Sequence, residues 1–154
     1  MNDLAALSCG GALPVTAEPA LREIENLEAW MLQLPQEEIE TSHLFHAGMY
    51  TRTIRMPKGV VLTGARMKRA TVVIVAGRAL MLAGDTWAEL EGYNVLPGSA
   101  GRKQVFVSLS EVFITMVFPT GAKTVEAAEA EFTEDAERLL SRRQNVNRAI
   151  WTGE

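Results

Sequence analysis

Hydrophobic residues recur along this chain with two different periods, and the change of period separates helical from extended segments. Across residues 20–34, Leu21, Ile24, Leu27, Trp30, Met31 and Leu34 return at steps of three and four, which predicts an amphipathic helix. Pro19 stands near its start and Pro35 ends it. Trp30 is expected to anchor this helix on the body of the protein or on a neighbouring subunit. Across residues 43–120 the chain turns to short apolar runs at 50–56, 60–63, 71–75 and 105–118. Pro57-Lys58-Gly59, Gly77, Gly84-Asp85 and Leu96-Pro97-Gly98 punctuate them, with glycine supplying positive φ. Short strands with regular turns predict a sandwich or barrel. The stretch from Ser99 through Gly101, Arg102 and Lys103 reads as a longer polar connection.

The run at 112–118 is apolar on both faces: Val112, Ile114, Met116 and Phe118 alternate with Phe113, Thr115 and Val117. Such a strand is covered on both sides. One face fills the barrel, and the other calls for a helix or a second subunit, so a homodimer or higher homo-oligomer is expected. After Pro119 the composition changes. Residues 124–143 are rich in good helix formers, with a stripe of Val125, Ala128, Phe132, Ala136, Leu139 and Leu140. Acids precede Arg138, Arg142 and Arg143, which suits the helix dipole. A helix over 124–143 is predicted, with a polar tail at 144–154. Residues 1–19 read as a flexible leader.

Length bounds the architecture next. A chain of 154 residues is long enough for one domain with a proper core. The net charge of −4 argues against general nucleic-acid binding, which needs a basic surface. The single cysteine, Cys9, cannot form an intramolecular disulfide, so no oxidising compartment is required. No apolar run approaches the ~20 residues of a membrane span. A cytoplasmic protein with no membrane partner is the expectation.

A resemblance enters with the ordered motifs of the strand region. His43, His46, Tyr50, Arg52 and Ile54 are followed by Met56-Pro57-Lys58-Gly59 and Leu62-Thr63-Gly64. Leu96-Pro97-Gly98, Gly101-Arg102-Lys103 and Phe118-Pro119-Thr120 come next, and a helix carrying Glu129, Glu131 and Phe132 closes the series. Together, from about residue 24 to 132, these resemble small single-domain cupins of the kind found in phage and prophage genomes. The resemblance implies a mainly β, cupin-like jelly-roll barrel (a double-stranded β-helix) with flanking N- and C-terminal helices, often dimerised through a sheet. Cupin barrels commonly hold a metal on a histidine-x-histidine pair, a carboxylate and a later histidine. Here those positions fall near Ala65 and Met67, near Arg69-Ala70-Thr71, and at Phe118. A glutamate often found after the Tyr-x-Arg segment is Thr53. No metal and no other cofactor is therefore predicted.

Other chemistry is sparse. His43 and His46, three apart on an expected strand, face opposite sides and lack acidic or sulfur partners beyond Glu38 and Glu40. A metal bridged between subunits is the one version that survives. No G-x-S-x-G elbow is present, and Gly98-Ser-Ala-Gly101 lacks the ending of a phosphate loop. Basic residues concentrate in the barrel region, among them Arg52, Arg55, Lys58, Arg66, Lys68, Arg69, Arg78, Arg102 and Lys103. They either line a positive barrel mouth, guard strand edges, or pair with acids of the helices. Tyr50, Trp87, Tyr93, Phe106, Phe113 and Phe118 line a pocket or fill the core.

Three functional readings follow. The first is a non-catalytic, metal-free structural or interaction protein acting as an oligomer. The second is a binding module for a small anionic or nucleotide-like ligand, held by Arg52, Arg66 and Arg102 with Tyr50 and Trp87 as aromatic wall. The weakest is a metal-independent isomerase, which lacks an evident acid–base pair; no catalytic residue is assigned.

Overall fold

The computed structural model describes residues 12–154. Cys9 and the first eleven residues of the expected leader lie outside them. Helix α1 (Glu18–Met31) leads into nine strands: β1 (Thr41–His46), β2 (Met49–Met56), β3 (Val61–Thr63), β4 (Thr71–Ala76), β5 (Ala79–Ala83), β6 (Thr86–Leu90), β7 (Tyr93–Gly98), β8 (Val105–Ser108) and β9 (Val112–Pro119). Helix α2 (Val125–Phe132), a 3-10 turn (Ala136–Arg138), helix α3 (Leu140–Arg143) and strand β10 (Asn147–Trp151) complete the fold. The strands form two sheets, ordered β10-β1-β2-β9-β4-β7 and β3-β8-β5-β6. Apart from β1 with β10, every paired neighbour is antiparallel. This is a mainly β jelly-roll barrel with helices at both ends.

The period-2 pattern explains the layers. Thr71, Val73 and Val75 of β4 point inward, while Val72 and Ile74 point out. In β5 the inward set is Ala79, Met81 and Ala83. These residues meet Met56, Phe106 and Val112 between the sheets in the main core. Burying each large side chain contributes about 1.5–3 kcal/mol. A second cluster of Phe45, Tyr50, Met67, Phe118, Ala128 and Phe132 seats α2 on one end of the larger sheet. The β1–β2 hairpin closes through Ala47 and Gly48 at φ 51° and 70°, the positive pair that a tight primed turn requires.

Several elements depart from the pattern-based expectation. Residues 12–17 are packed rather than a free leader. Leu13 is buried, and its N–H donates to the Pro97 carbonyl at 2.6 Å. The Thr16 hydroxyl donates to the Lys103 carbonyl at 3.0 Å. Helix α1 stops at Met31, and Trp30 is 58% exposed, so it does not anchor the helix on the barrel.

The long C-terminal helix is broken after Phe132. Thr133 is extended, and its hydroxyl accepts from the Asp135 N–H at 3.2 Å, a local bond that competes with helix continuation. The polar tail is a strand. Asn145 takes φ 56° and redirects the chain, so that β10 pairs in parallel with β1 from Thr41↔Asn147 to Phe45↔Trp151. The Trp151 ring stacks on Phe45 with centroids 5.6 Å apart.

Candidate functional site

A cavity of about 350 Å³ occupies the barrel interior. Its depth is walled by Ile54, Leu62, Val73, Phe106, Ile114 and Met116 from both sheets, with Phe132 from α2. Its rim is made by the end of α1, by Gln36, Glu37 and Ile39, and by the broken segment at 135–143. The helix break therefore shapes the mouth. An unbroken helix would carry Arg138, Leu139 and Leu140 away along its axis instead of folding them back over the opening.

Two arginines line this cavity in different ways. Arg52, on the inward face of β2, donates from Nη1 to Glu129 Oε2 at 2.9 Å and from Nη2 to Ser141 Oγ at 3.0 Å. Glu129 also accepts from the Ser141 hydroxyl and from Arg142 Nε at 2.9 Å. Burial pushes the Glu129 carboxyl up, but the bonds from Ser141, Arg142 and Arg52 outweigh it and hold the group below the usual carboxylate range. This is a fully partnered ion cluster.

Arg102 is 2% exposed and has no carboxylate partner. Its Nη1 donates to the Ser99 carbonyl at 2.8 Å, its Nη2 to Thr71 Oγ1 at 2.6 Å, and its Nε to Gln104 Oε1 at 3.4 Å. Burial alone pushes its pKa down to about 10. The guanidinium lies over Gly98, where a Cβ would sit 2.5 Å from its carbon. Gln104, also buried, offers its amide N–H only to the Met81 sulfur at 3.2 Å. The polar connection expected at 99–103 is thus turned inward, and it delivers two cations to the interior. The second, Lys103, is neutralised by Glu28 at 3.1 Å and also donates to the Gly64 carbonyl at 2.9 Å.

The other predicted ligand residues are elsewhere. Arg66 is exposed and does not line the cavity. Trp87 lies 47% exposed on β6, outside the cavity wall. Tyr50 is wholly buried in the second core cluster, behind Arg52. Of the five, only Arg52 and Arg102 come together on the cavity. Phe106 and Phe132 supply its aromatic wall, while Tyr93 and Phe113 face outward. Most other barrel cations pair with acids: Arg55 with Glu111, Arg78 with Glu89, Lys68 with Glu134 and Arg69 with Glu131.

The histidines fall on opposite faces of β1. His46 is exposed, its Nδ1 bonded to Thr152 Oγ1 at 2.6 Å. His43 is 1% exposed, with Nδ1 at 2.6 Å from Tyr50 Oη and Nε2 at 2.8 Å from Asn147 Oδ1. The Asn147 amide donates to the Ser141 carbonyl at 2.7 Å, so its oxygen faces His43 and Nε2 carries the proton. Nδ1 then accepts from Tyr50. Burial pushes the His43 pKa down and the Tyr50 pKa up. Among the described residues, no three His, Cys, Asp or Glu side chains are placed to share a metal ion. Ala65 and Met67, at the expected ligand positions, line the cavity without a donor group suited to a hard cation.

Fold and cavity together define a cupin-like jelly-roll barrel. Solved structures similar to this chain include the Cupin_2 domain of an XRE family transcriptional regulator from Enterobacter cloacae. It is 13% identical at a TM-score of 0.44, over 54% of this chain and 99% of that one. A cupin superfamily protein from Desulfitobacterium hafniense is 13% identical at 0.46, over 60% and 86%. A cupin-2 domain containing protein from Shewanella frigidimarina is 12% identical at 0.43, over 64% and 97%. Neither a family model nor a curated protein matches the sequence. Among the described residues, no helix is long and apolar enough to cross a membrane.

Proposed function

We propose that this chain is a non-catalytic binding module whose barrel cavity takes a small anionic ligand. Arg102 carries the reading. Buried charges in proteins are paired or coordinated, because an isolated one costs several kcal/mol of desolvation. Arg102 is buried against the cavity with neutral acceptors only. A cavity of this volume falls in the range of small-molecule sites, with apolar walls and few convergent polar groups. Binding is favoured over turnover because the buried groups able to move protons are already engaged, and Glu37, Asp135 and Glu137 stand only at the rim. Glu28 and Glu129 are in ion pairs, and His43 is sequestered behind Tyr50. The test is a thermal-shift screen of the full chain against organic carboxylates, phosphates, sugars and nucleotides. Selective stabilisation by an anion supports the reading, since a ligand of the folded state raises stability by mass action. Stabilisation by none of the anions contradicts it.

A second reading, homodimerisation through the larger sheet, rests on the outer face of that sheet. Of the residues pointing outward from β1, β2, β9 and β4, only Arg55 is charged, and it pairs with Glu111 at the periphery. Thr53 and Thr115 bond across the centre at 2.8 Å, and Val72, Phe113, Tyr93 and Val95 are exposed around them. At the edge β10 adds Arg148 across from Ser42, so the uncharged patch spans β1, β2, β9, β4 and β7, about 400 Å² in projection at ~4.8 Å spacing, against the ~800 Å² per partner of a standard interface. A second copy suits it, because a sheet lacking charge at its centre buries well against itself. Sedimentation should give a dimer that Thr115→Lys converts to a folded monomer. A wild-type monomer at tens of micromolar overturns this.

A further inference from the structure

The charges buried around the cavity can be counted, and the count narrows the ligand. Three cations lie with side chains at least nine-tenths buried or nearly so: Arg52, Lys103 and Arg102. Arg52 is neutralised by Glu129 and Lys103 by Glu28. Arg102 is left, a surplus of one positive charge. At the rim, Arg138, Arg143, Glu37 and Glu137 are exposed and Asp135 is half-buried, and none of them enters the count of buried charges.

The hydrogen bonds narrow it further. A guanidinium has five N–H groups. Arg102 uses one on each nitrogen, to Gln104, Ser99 and Thr71. One N–H on Nη1 and one on Nη2 therefore have no acceptor. Two such donors on the two terminal nitrogens suit a pair of oxygens on one atom, a geometry that a carboxylate and a phosphate share, and the charge count separates them. Beyond this pole the deep wall is apolar: Ile54, Val73, Phe106, Ile114 and Met116 offer no polar partner to a sugar hydroxyl or a nucleobase edge. The volume equals on the order of a dozen water molecules at ~30 Å³ each.

We infer that the cavity selects a monocarboxylate with a compact apolar body, of about ten to fifteen non-hydrogen atoms, its head on Arg102 and its body against the barrel wall. The inference rests on the anion-binding reading above and deepens it. A dianionic phosphate ester brings a second charge for which no unpaired buried cation exists. A neutral isostere leaves the Arg102 charge uncompensated. A short carboxylate such as acetate leaves the apolar wall without contacts.

The test uses the full chain and four probes by thermal shift and calorimetry at pH 7.5: octanoate, octanamide, octyl phosphate and acetate. Octanoate at about 100 times its Kd should raise Tm by roughly 5 to 10 °C. Each of the other three should bind at least tenfold more weakly. Arg102→Met should lose the octanoate shift, and Arg102→Lys, which keeps the charge without the fork, should weaken it severalfold. Should Arg102→Met fail to fold, the lysine variant and the wild-type probe series still decide. Octyl phosphate binding more tightly than octanoate overturns the carboxylate class and leaves anion binding standing. So does silence from all four probes while another anion of the broader screen stabilises the protein. Octanamide binding as well as octanoate overturns both readings.

Discussion

Arg52 and Arg102 reach into the same cavity from opposite histories of pairing. Around Arg52, a carboxylate, a hydroxyl and a second arginine close a cluster in which both guanidiniums share one carboxylate. Around Arg102, every acceptor is neutral. The first arrangement is a structural clamp. It ties β2 to α2 and α3, and through Ser141, Asn147 and His43 it fastens β10 to β1. The second is incomplete in the isolated chain, and an incomplete buried charge is where a ligand contributes most. The difference separates scaffold from site within one wall.

The contrast can be broken most forcefully at the clamp. Arg52→Met leaves Glu129, 1% exposed, with one cation fewer, and should cost about 3–5 kcal/mol in urea denaturation. A loss below about 1 kcal/mol would mean that the pairing is dispensable. Gly98→Ala comes next. Its Cβ would sit 2.5 Å from the Arg102 guanidinium, so the head must shift, at about 1–3 kcal/mol, and any anion-induced rise in Tm should vanish with it. An unchanged anion response would detach Arg102 from the site.

Acid should find the clamp and spare the site. The folded-state pKa values of His43 and Glu129 both lie below their ordinary values of 6.5 and 4.5. The unfolded chain therefore binds protons first as pH falls, so the stability these groups contribute is present above those values. It is lost as pH drops, first through the window below 6.5 and then through the window below 4.5. The urea midpoint should fall accordingly, and His43→Gln should flatten the upper part of the decline. A midpoint that rises between pH 7 and 5 contradicts the assignment of a neutral His43. The smallest expected effect is Gln104→Leu. It removes the weak 3.4 Å acceptor of Arg102 Nε, and should change stability by less than about 1 kcal/mol while altering anion affinity severalfold.

How much of this was legible in the sequence follows the same divide. Short apolar runs placed β2, β3 and β4 and read β8 with β9 as one stretch, glycine marked turns, and helical spacing found α1, because those signals are local; β1, β5, β6 and β7 were not singled out. Arg52 and Arg102 could be nominated as cations in a barrel, but the fate of Arg52 depends on Glu129, 77 residues away, and that of Arg102 on a loop that folds its guanidinium inward onto Ser99, Gln104 and Thr71. Arg66 and Trp87 looked equivalent by composition, but strand phase turns Trp87 away from the cavity and Arg66 sits exposed in the loop between β3 and β4. One missed signal was present. Val125, Ala128, Glu129 and Phe132 follow the i, i+3, i+4, i+7 spacing of a buried helical stripe, which marks Glu129 as a carboxylate at a core position in need of a cation. The break at Thr133 and the strand at β10 carried no such mark, since good helix formers lie on both sides of the break and β10 is held by tertiary contacts to β1. Gln104 was hidden for a similar reason, as a polar residue in a stretch that reads as an exposed loop.

The contrast comes to rest on Arg102→Met, measured by urea denaturation beside the wild type in buffer free of organic anions. If the guanidinium is an unanswered buried charge kept for a ligand, replacing it with an apolar side chain of similar length should leave the protein at least as stable as the wild type. A loss of about 3 kcal/mol or more, matching Arg52→Met, would show instead that Arg102 is as fully partnered as Arg52, and the cavity would have no anionic pole.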